Sequence, residues 1–392
     1  MDIALNTPTR GFHQSEFEAR TARAQEMMAT AGMSAILVLT EPEVRYFTGF
    51  LTPFWQSPTR PWFVVIPAAG KPIAVIPAIG TECMAATWID DIRTWSSPNP
   101  IDEGISLLSD VLRGVTSGDA KVGLPMGPET ALRMSMLDFN RLSEAIAPQT
   151  FVDASPIIQT LRMTKSDAEI EKVRHICGVL SGVFEDLPNV LRTGMTNVEI
   201  FRAFKIAALN AGADDVAYLV GGTGQGGYGD IISPPSDTPS AHGDVLILDT
   251  GATFDGYFCD FDRNYMFGDT TDAAKRAYDV VYRATEAGIV AAVPGNTCAD
   301  LYHAMQGVMD AGGAMGNDVG RLGHGLGMQL TEWPSNMPTD MTVLKPGMIM
   351  TLEPGMTFAP GKVMVHEENL VIREGAPELL SRRAASEMPV IT

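Results

Sequence analysis

The sequence is poor in cysteine and in positive charge. Its four cysteines form no CxxC pair, which excludes a zinc ribbon and a disulfide scaffold and fits a reducing cytoplasm. With 28 Lys and Arg against 47 Asp and Glu, the net charge is −19. Such a surface repels a polyanion, so we exclude nucleic acid as a partner. Because the N-terminus does not resemble a signal peptide and every apolar run is too short to span a bilayer, we expect a soluble cytoplasmic protein without a membrane partner.

The composition and the order of predicted elements indicate two domains. The chain has 392 residues, of which 45% are hydrophobic and 19% charged, an ordinary globular balance. Residues 1–155 predict an α/β domain that includes a hairpin over residues 62–77. Residues 156–392 predict an α+β domain with a mainly antiparallel sheet, because strands are followed by long helices and then by strands again. In this second part Ser166 and Glu169 have the spacing of a capping box, which predicts that a helix begins between them.

A hairpin predicted over residues 245–268 contains two carboxylates. Asp249 ends an apolar run, where an unpaired carboxylate is costly to bury. Asp260 lies on the return strand, and we expect it within about one residue of facing Asp249. Two carboxylates this close repel each other unless a cation lies between them. Taken alone, the segment is equally consistent with a hairpin that has solvated acidic side chains.

Three further polar residues interrupt apolar strands of the same domain. His324 lies between glycines, Glu353 follows the apolar strand over residues 348–352, and Glu367 lies inside an apolar strand. A single histidine is more often structural than metal-binding, and a single buried glutamate can form an ion pair. Four carboxylates and one imidazole together, however, suit two adjacent divalent cations such as Mn²⁺, Fe²⁺, Co²⁺ or Zn²⁺.

These residues resemble the motifs of the pita-bread metallohydrolases of family M24, which include methionine aminopeptidase, prolidase and aminopeptidase P. The matching segments are Asp249-Thr250-Gly251, residues 256–263, residues 323–327 (GHGLG), Glu353-Pro354-Gly355 and Glu367. The N-terminal part, with RYFTGF at residues 45–50, looks like the creatinase-type domain of the dipeptidase branch. The resemblance implies a pita-bread catalytic domain behind a creatinase-like domain, a homodimer and a substrate of small-molecule or dipeptide size. The metal ligands that it implies are Asp249, Asp260, His324, Glu353 and Glu367, with Glu353 also the catalytic proton shuttle.

The sequence departs from the peptidases at three positions around this predicted site. Peptidase relatives have histidines where this chain has Thr331 and Ile232, and dipeptidase relatives have an arginine where it has Val365. In those relatives the three side chains position the peptide and stabilise the tetrahedral intermediate. The metal ligands are retained while the groups that handle the peptide are absent, so an ordinary peptidase is not expected.

One carboxylate has been added at the predicted site. Asp262 stands where the family usually has threonine, two residues beyond Asp260 and therefore on the same strand face. Together with Val365, it predicts poor affinity for a free substrate carboxylate and a preference for a cationic or neutral group. The alternative is that Asp262 pairs with Arg263 or another base and only orients a ligand.

Several functions remain open from the sequence. The leading hypothesis is a dinuclear hydrolase that cleaves an amide or C–N bond, similar to an Xaa-Pro peptidase. Relatives that lack the same histidines include creatinase, ectoine hydrolase and dimethylsulfoniopropionate lyase, so a metal-dependent lyase or hydrolase of an osmolyte-like compound is the second. A non-catalytic binding module is the third. Trp55 is a candidate substrate contact whose ring could hold a quaternary ammonium or sulfonium, although a packing role is equally consistent with the sequence; Asp262 and Thr331 are the other candidate substrate contacts.

Overall fold

The computed structural model describes residues 7–316 and 319–392, which form two compact units. One unit contains Thr9–Arg162 and the other Met163–Thr392. In the described part of the chain, no helix combines the length and apolarity that crossing a membrane requires.

The division between the units lies later than the predicted boundary between residues 155 and 156. Helix α6 (Ser155–Met163) remains largely with the N-terminal unit because its residues are bonded to that unit. The Tyr46 hydroxyl donates to the carbonyl of Leu161 at 3.1 Å, and Arg162 pairs with Glu43 at 3.1 Å.

The N-terminal unit is built on a mixed six-stranded sheet. Its strands are β1 (Met33–Val38), β2 (Phe63–Pro67), β3 (Ile73–Pro77), β4 (Asp91–Trp95), β5 (Lys121–Leu124) and β6 (Thr150–Asp153), in the order β4-β3-β2-β1-β5-β6. Its other helices are α1 (Gln14–Ala31), α2 (Glu41–Thr48), α3 (Thr81–Ala85), α4 (Ile105–Val115) and α5 (Met136–Ala145), with short 3-10 turns at Pro53–Gln56 and Ala78–Gly80. The predicted hairpin is confirmed, because β2 and β3 pair antiparallel. Leu108 of α4 and Leu142 of α5 are buried in one core with alternate residues of the strands.

The C-terminal unit contains four helices and twelve strands among the described residues. The helices are α7 (Asp167–Val190), α8 (Asn197–Ala211), α9 (Asp272–Ala291) and α10 (Cys298–Ala311). The first strands are β7 (Asp215–Gln225), β8 (Asp244–Phe254), β9 (Tyr257–Phe258), β10 (Phe261–Phe267), β11 (His324–Gly325) and β12 (Glu332–Ser335). The remaining strands are β13 (Ile349–Leu352), β14 (Gly355–Ala359), β15 (Lys362–Val365), β16 (Glu368–Val371), β17 (Glu378–Leu379) and β18 (Val390–Ile391).

Two five-stranded sheets place the predicted ligands. One has the order β18-β10-β8-β7, with β9 paired to β8, and the other has the order β12-β11-β13-β16-β17. In the described chain every pairing in these two sheets is antiparallel except that of β10 with β18, as the α+β prediction requires. The capping box is also confirmed, because Ser166 and Glu169 exchange hydrogen bonds at the start of α7.

Candidate metal centre

The hairpin of β8 and β10 brings Asp249 opposite Asp262 and not opposite Asp260. The pairing of the two strands begins at Phe261 with Thr250 and continues at Asp262 with Asp249. The expectation that Asp260 nearly faces Asp249 was wrong, because the chain leaves the ladder between β9 and β10 and Asp260 lies in that break. Its carboxylate nevertheless comes within 4.8 Å of the ligand oxygens of Asp249 and Glu367.

Glu367 also lies at a break between strands. The sequence predicted a continuous strand through it, but β15 ends at Val365 and β16 begins at Glu368. The chain changes its partner strand there, since β15 pairs with β14 and β16 pairs with β13. Between them the N–H of Glu367 donates to Asp262 Oδ1 at 3.2 Å. Two ligands therefore come from positions where regular pairing stops.

His324 is oriented by the backbone around it. Its Nδ1 lies 2.8 Å from the carbonyl oxygen of Gly325, so this nitrogen holds a proton and Nε2 faces the two carboxylates. Nε2 lies 3.0 Å from Glu353 Oε1 and 3.4 Å from Asp260 Oδ2. Gly323 makes this approach possible: its φ is +128°, and a Cβ there would lie 2.2 Å from the carbonyl oxygen of Thr351.

The five predicted ligands form two triads that share one residue. The triads are Asp260, His324 and Glu353, and Asp249, Asp260 and Glu367, and within each the ligand atoms lie within 4.8 Å of one another. Ligands on opposite sides of one cation, at metal–ligand distances of about 2.1 Å, have a similar separation.

Unsatisfied oxygens at this centre also fit a pair of cations. Asp249 Oδ1, Asp262 Oδ2 and Glu367 Oε1 are buried and have no hydrogen-bond partner among the described residues. Buried carboxylate oxygens without a partner are costly and uncommon in folded proteins. A set of carboxylate oxygens with one imidazole nitrogen is the donor chemistry that Mn²⁺, Fe²⁺, Co²⁺ or Zn²⁺ accepts.

Repulsion among buried carboxylates dominates the electrostatics of the centre. Burial and then the charge of Glu353 raise the pKa of Asp249 from 3.8 to about 7. Burial and then Asp249 raise the pKa of Asp260 well above its ordinary value, and burial and then Asp260 do the same for the pKa of Glu367. Burial also raises the pKa of Glu353, but the charge and hydrogen bond of His324 outweigh it and lower that pKa to about 2. Divalent cations would offset the repulsion.

The sequence analysis missed two residues at the centre. Tyr218 on β7 is half-buried. Burial and then Glu353 raise the pKa of Asp249, and the hydrogen bond of Tyr218 acts in the opposite direction and lowers it. Arg321 is also half-buried, and it donates to Thr331 Oγ1 at 3.4 Å. Tyr218 follows no motif, but Arg321 lies three residues before His324, and its position so close to a ligand could have drawn attention to it.

The positions that differ from the peptidases lie in different surroundings. Thr331 Oγ1 is 3.5 Å from His324 Nε2, so this residue is next to the metal centre. Val365 packs over Gly355, just after the ligand Glu353. Ile232 is 73% exposed, which places an apolar side chain at the surface of this unit.

Asp262 is 1% exposed, and its Oδ1 accepts the Glu367 N–H. This geometry favours the alternative in which Asp262 orients a metal ligand. The ligand is Glu367, and Asp262 holds it through the backbone N–H of Glu367. The guanidinium of Arg263 instead pairs with Glu368 at 2.9 Å. A direct substrate contact by Asp262 stays a prediction.

Trp55 belongs to the N-terminal unit, where its ring has protein contacts. It lies 6.0 Å from the ring of Trp62, and the guanidinium of Arg133 lies over it at 5.2 Å. These contacts fit the packing role. The proposed contact of Trp55 with a substrate stays a prediction.

Comparisons with known proteins agree with the fold and identify the family. Residues 171–374 match the model of metallopeptidase family M24, and residues 20–164 match the creatinase/prolidase N-terminal domain. The chain is 26% identical over 376 residues to a probable dipeptidase PepE of Mycobacterium bovis, which covers 93% of this chain and 94% of that protein. It is 26% identical over 259 residues to an Xaa-Pro dipeptidase of Pyrococcus furiosus, which covers 65% of this chain and 73% of that protein.

A solved structure is similar over nearly the whole chain. The crystal structure of dipeptidase PepE from Mycobacterium ulcerans matches with a TM-score of 0.84 and 25% identity, covering 97% of this chain and 99% of that one. The family model alone spans more than half of the sequence, and the predicted creatinase-type and pita-bread domains are confirmed. The chain therefore belongs to metallopeptidase family M24 and is a hydrolytic enzyme with a creatinase-type N-terminal domain.

Proposed function

We propose that this protein uses two divalent cations to hydrolyse an amide or related C–N bond in a small substrate. The observation that supports the proposal most is the sharing of Asp260 by two triads whose ligand atoms lie within 4.8 Å of one another. A shared carboxylate is the arrangement expected for two adjacent cations. The buried, unpartnered oxygens of Asp249 and Glu367 add to this support.

The residues of the centre have distinct roles in this proposal. Asp249, Asp260, His324, Glu353 and Glu367 would hold the cations, which when bound activate water and polarise the carbonyl of a substrate. The Glu353 side chain is 22% exposed, whereas that of Asp260 is 7% exposed. Because Glu353 is the more accessible of these two, it is the carboxylate better placed to accept a proton from the nucleophile and to return it to the leaving amine.

The substrate is proposed to be of dipeptide size but not an ordinary Xaa-Pro dipeptide. Relatives are named dipeptidase and Xaa-Pro dipeptidase, which suggests the size. Thr331, Ile232 and Val365 provide no imidazole or guanidinium where peptidases have them, which argues against the ordinary substrate. A homodimer is also part of the proposal, supported by the family resemblance, and so is a cytoplasmic location, supported by the four separated cysteines.

Metal titration of Asp260→Asn tests the dinuclear centre. Metal-stripped wild-type protein should bind two Mn²⁺ ions per chain in isothermal titration calorimetry. Asp260→Asn should weaken both sites because both triads use it, whereas Asp249→Asn should weaken one. Asp279→Asn, which changes an exposed carboxylate on α9, is the matched control and should keep two ions. Two ions bound by Asp260→Asn with unchanged affinity would contradict the proposal.

Product analysis tests the reaction. The Mn²⁺-loaded enzyme should be incubated with a panel of dipeptides, acylated amino acids and osmolytes, and the products identified by mass spectrometry. A hydrolase consumes water and releases an acid and an amine, whereas a lyase releases an alkene. Alkene release would favour the second sequence hypothesis and contradict this one.

A further inference from the structure

The two triads of the metal centre differ in how far the protein already satisfies their ligand atoms. The histidine triad contains Asp260, His324 and Glu353, and the carboxylate triad contains Asp249, Asp260 and Glu367. A cation gains most from ligand atoms without a partner, because it then replaces no existing hydrogen bond. The partners within each triad therefore indicate which position the first cation occupies.

The histidine triad is largely satisfied by its own members and by Thr351. Glu353 Oε1 lies 3.0 Å from His324 Nε2 and accepts a hydrogen bond from the hydroxyl of Thr351. This hydroxyl also accepts from the backbone N–H of His324 at 2.9 Å, so it joins the two ligands. A cation that binds at this triad has to replace contacts that already exist.

The carboxylate triad has the opposite character. Asp249 Oδ1 and Glu367 Oε1 are buried and have no hydrogen-bond partner among the described residues. Because buried carboxylate oxygens are costly without a partner, a cation lowers the free energy more here than at the histidine triad. Mn²⁺ suits carboxylate ligands, which increases the difference.

Asp262 adds a further carboxylate beside the carboxylate triad. It lies opposite Asp249 in the pairing of β8 with β10, and residues that face each other in this way have Cβ atoms about 4.5–5.5 Å apart. Its Oδ1 accepts the N–H of Glu367 at 3.2 Å, whereas its Oδ2 is buried and has no partner in the described part of the chain. Its charge therefore attracts a cation to the carboxylate triad rather than to the histidine triad.

We propose that the cations bind in order, the first to the carboxylate triad, and that Asp262 is the residue that makes this the tighter position. In this inference Asp262 is a positioning residue, because it acts through Asp249 and Glu367 and through its charge. The inference rests on the proposed function and goes beyond it, since a dinuclear centre does not by itself require an order of binding. It also gives the added carboxylate a role other than substrate contact.

Mn²⁺ binding at about pH 8, where fewer protons compete for the ligands, tests the order. Isothermal titration calorimetry of the metal-stripped wild type should give two steps whose affinities differ on the order of 10-fold or more. His324→Ala should lose the weaker step and keep the tighter one. Pulsed EPR of the wild type with one equivalent of Mn²⁺ should show no nitrogen modulation from an imidazole ligand.

Substitution of Asp262 tests its part in the order. Asp262→Asn keeps an oxygen that can accept the N–H of Glu367 and removes the charge, so the tighter step should weaken on the order of 10- to 100-fold. The difference between the steps should then be lost, and nitrogen modulation should appear at one equivalent. Asp244→Asn is the matched control and should keep both steps. Asp244 is also buried and accepts a backbone N–H, that of Ala241 at 2.9 Å, but it lies at the start of β8, away from both triads.

Two results overturn the inference. One is nitrogen modulation in the wild type at one equivalent that disappears in His324→Ala, and the other is an Asp262→Asn variant whose first ion still binds without it. The wild-type spectrum decides the order even if a variant does not fold. Binding of a single ion would contradict the proposed dinuclear centre, yet support the inference if that ion shows no nitrogen modulation, so the two failures are distinguishable.

Discussion

The carboxamide of Asn369 pairs with the backbone of Asp260, accepting from its N–H at 2.9 Å and donating to its carbonyl oxygen. Asp260 lies where the chain has left the ladder between β9 and β10, so its buried N–H and C=O need another partner. Asn369 is fully buried and is itself fixed, since its N–H donates to Ser381 Oγ at 2.9 Å. The carboxylate shared by both triads is thus oriented by a residue 109 positions further along the chain.

Asn369→Ala should therefore weaken metal binding as well as stability. It leaves the backbone of Asp260 buried and unsatisfied, which costs about 1–3 kcal/mol in the free energy of unfolding. Groups that orient a ligand typically contribute 10- to 100-fold to metal affinity, so we expect a loss of about that size. Urea denaturation and Mn²⁺ titration measure the two effects.

Asn197→Ala is the matched control for this prediction. Asn197 is also buried and bonds Ser236 and Thr223, each at 3.2 Å, but it contacts none of the ligands. It should lose stability and keep its affinity for Mn²⁺. Equal affinity in both variants would show that Asn369 contributes to folding alone.

The metal-free protein should lose stability as the pH rises from about 5 to 8. The pKa of Asp249 is raised from 3.8 to about 7 by burial and by Glu353. Because the folded value lies above the unfolded one, the stability contributed by this carboxyl is fully present below about pH 4. It is lost as the pH rises through about 7. We expect the Tm of the EDTA-treated protein to fall over this range in a calorimetric scan.

Two comparisons isolate the metal centre in that experiment. Asp249→Asn removes the titrating group, so its Tm should depend less steeply on pH than that of the wild type. With excess Mn²⁺ the trend should reverse, because deprotonated carboxylates bind the cation and binding stabilises the folded state. A pH dependence that is unchanged by both Asp249→Asn and Mn²⁺ would mean that other groups control it.

Tyr218→Phe should lower metal affinity or turnover on the order of 10- to 100-fold, as expected for a group that bonds a metal ligand. Only the hydroxyl that reaches Asp249 is removed, so stability should change little. Tyr302→Phe, which alters a half-buried tyrosine on α10, is the control. Wild-type Mn²⁺ affinity and kcat in Tyr218→Phe would exclude a role for this hydroxyl.

The sequence predicted the ligands better than the way in which they are held. Asp249 and Glu353 could be recognised because each directly follows an apolar run, and local pattern is visible in a single sequence. The breaks at Asp260 and Glu367 could not, because each is bonded by a side chain distant in the chain, Asn369 at Asp260 and Asp262 at Glu367. Pairing register likewise depends on where a ladder is interrupted, which local pattern does not reveal.

The sequence did not predict that Tyr218 and Arg321 lie beside the metal centre, and the reason is physical. Tyr218 comes from β7, which pairs with β8 beside Asp249, so only the assembled sheet brings the phenol to the centre. Arg321 looks unremarkable in the sequence, since an arginine is expected to have an acidic partner or solvent around it. Its contact with Thr331, which lies beside His324, exists only in the folded chain.

Dipeptides of the Ala-Pro type should be poor substrates of the Mn²⁺-loaded enzyme despite the family. The reason is that Thr331 stands beside His324 where peptidases have a histidine that stabilises the developing charge, and loss of one such donor costs roughly 100- to 1,000-fold in kcat. Thr331→His should therefore raise kcat for Ala-Pro, whereas Thr331→Ser, which adds no imidazole, should not. Stopped assays with proline detection measure both. Rapid cleavage of Ala-Pro by the wild type would instead mean that another group already supplies this stabilisation, and Arg321, which donates to Thr331 Oγ1, would be the first residue to substitute.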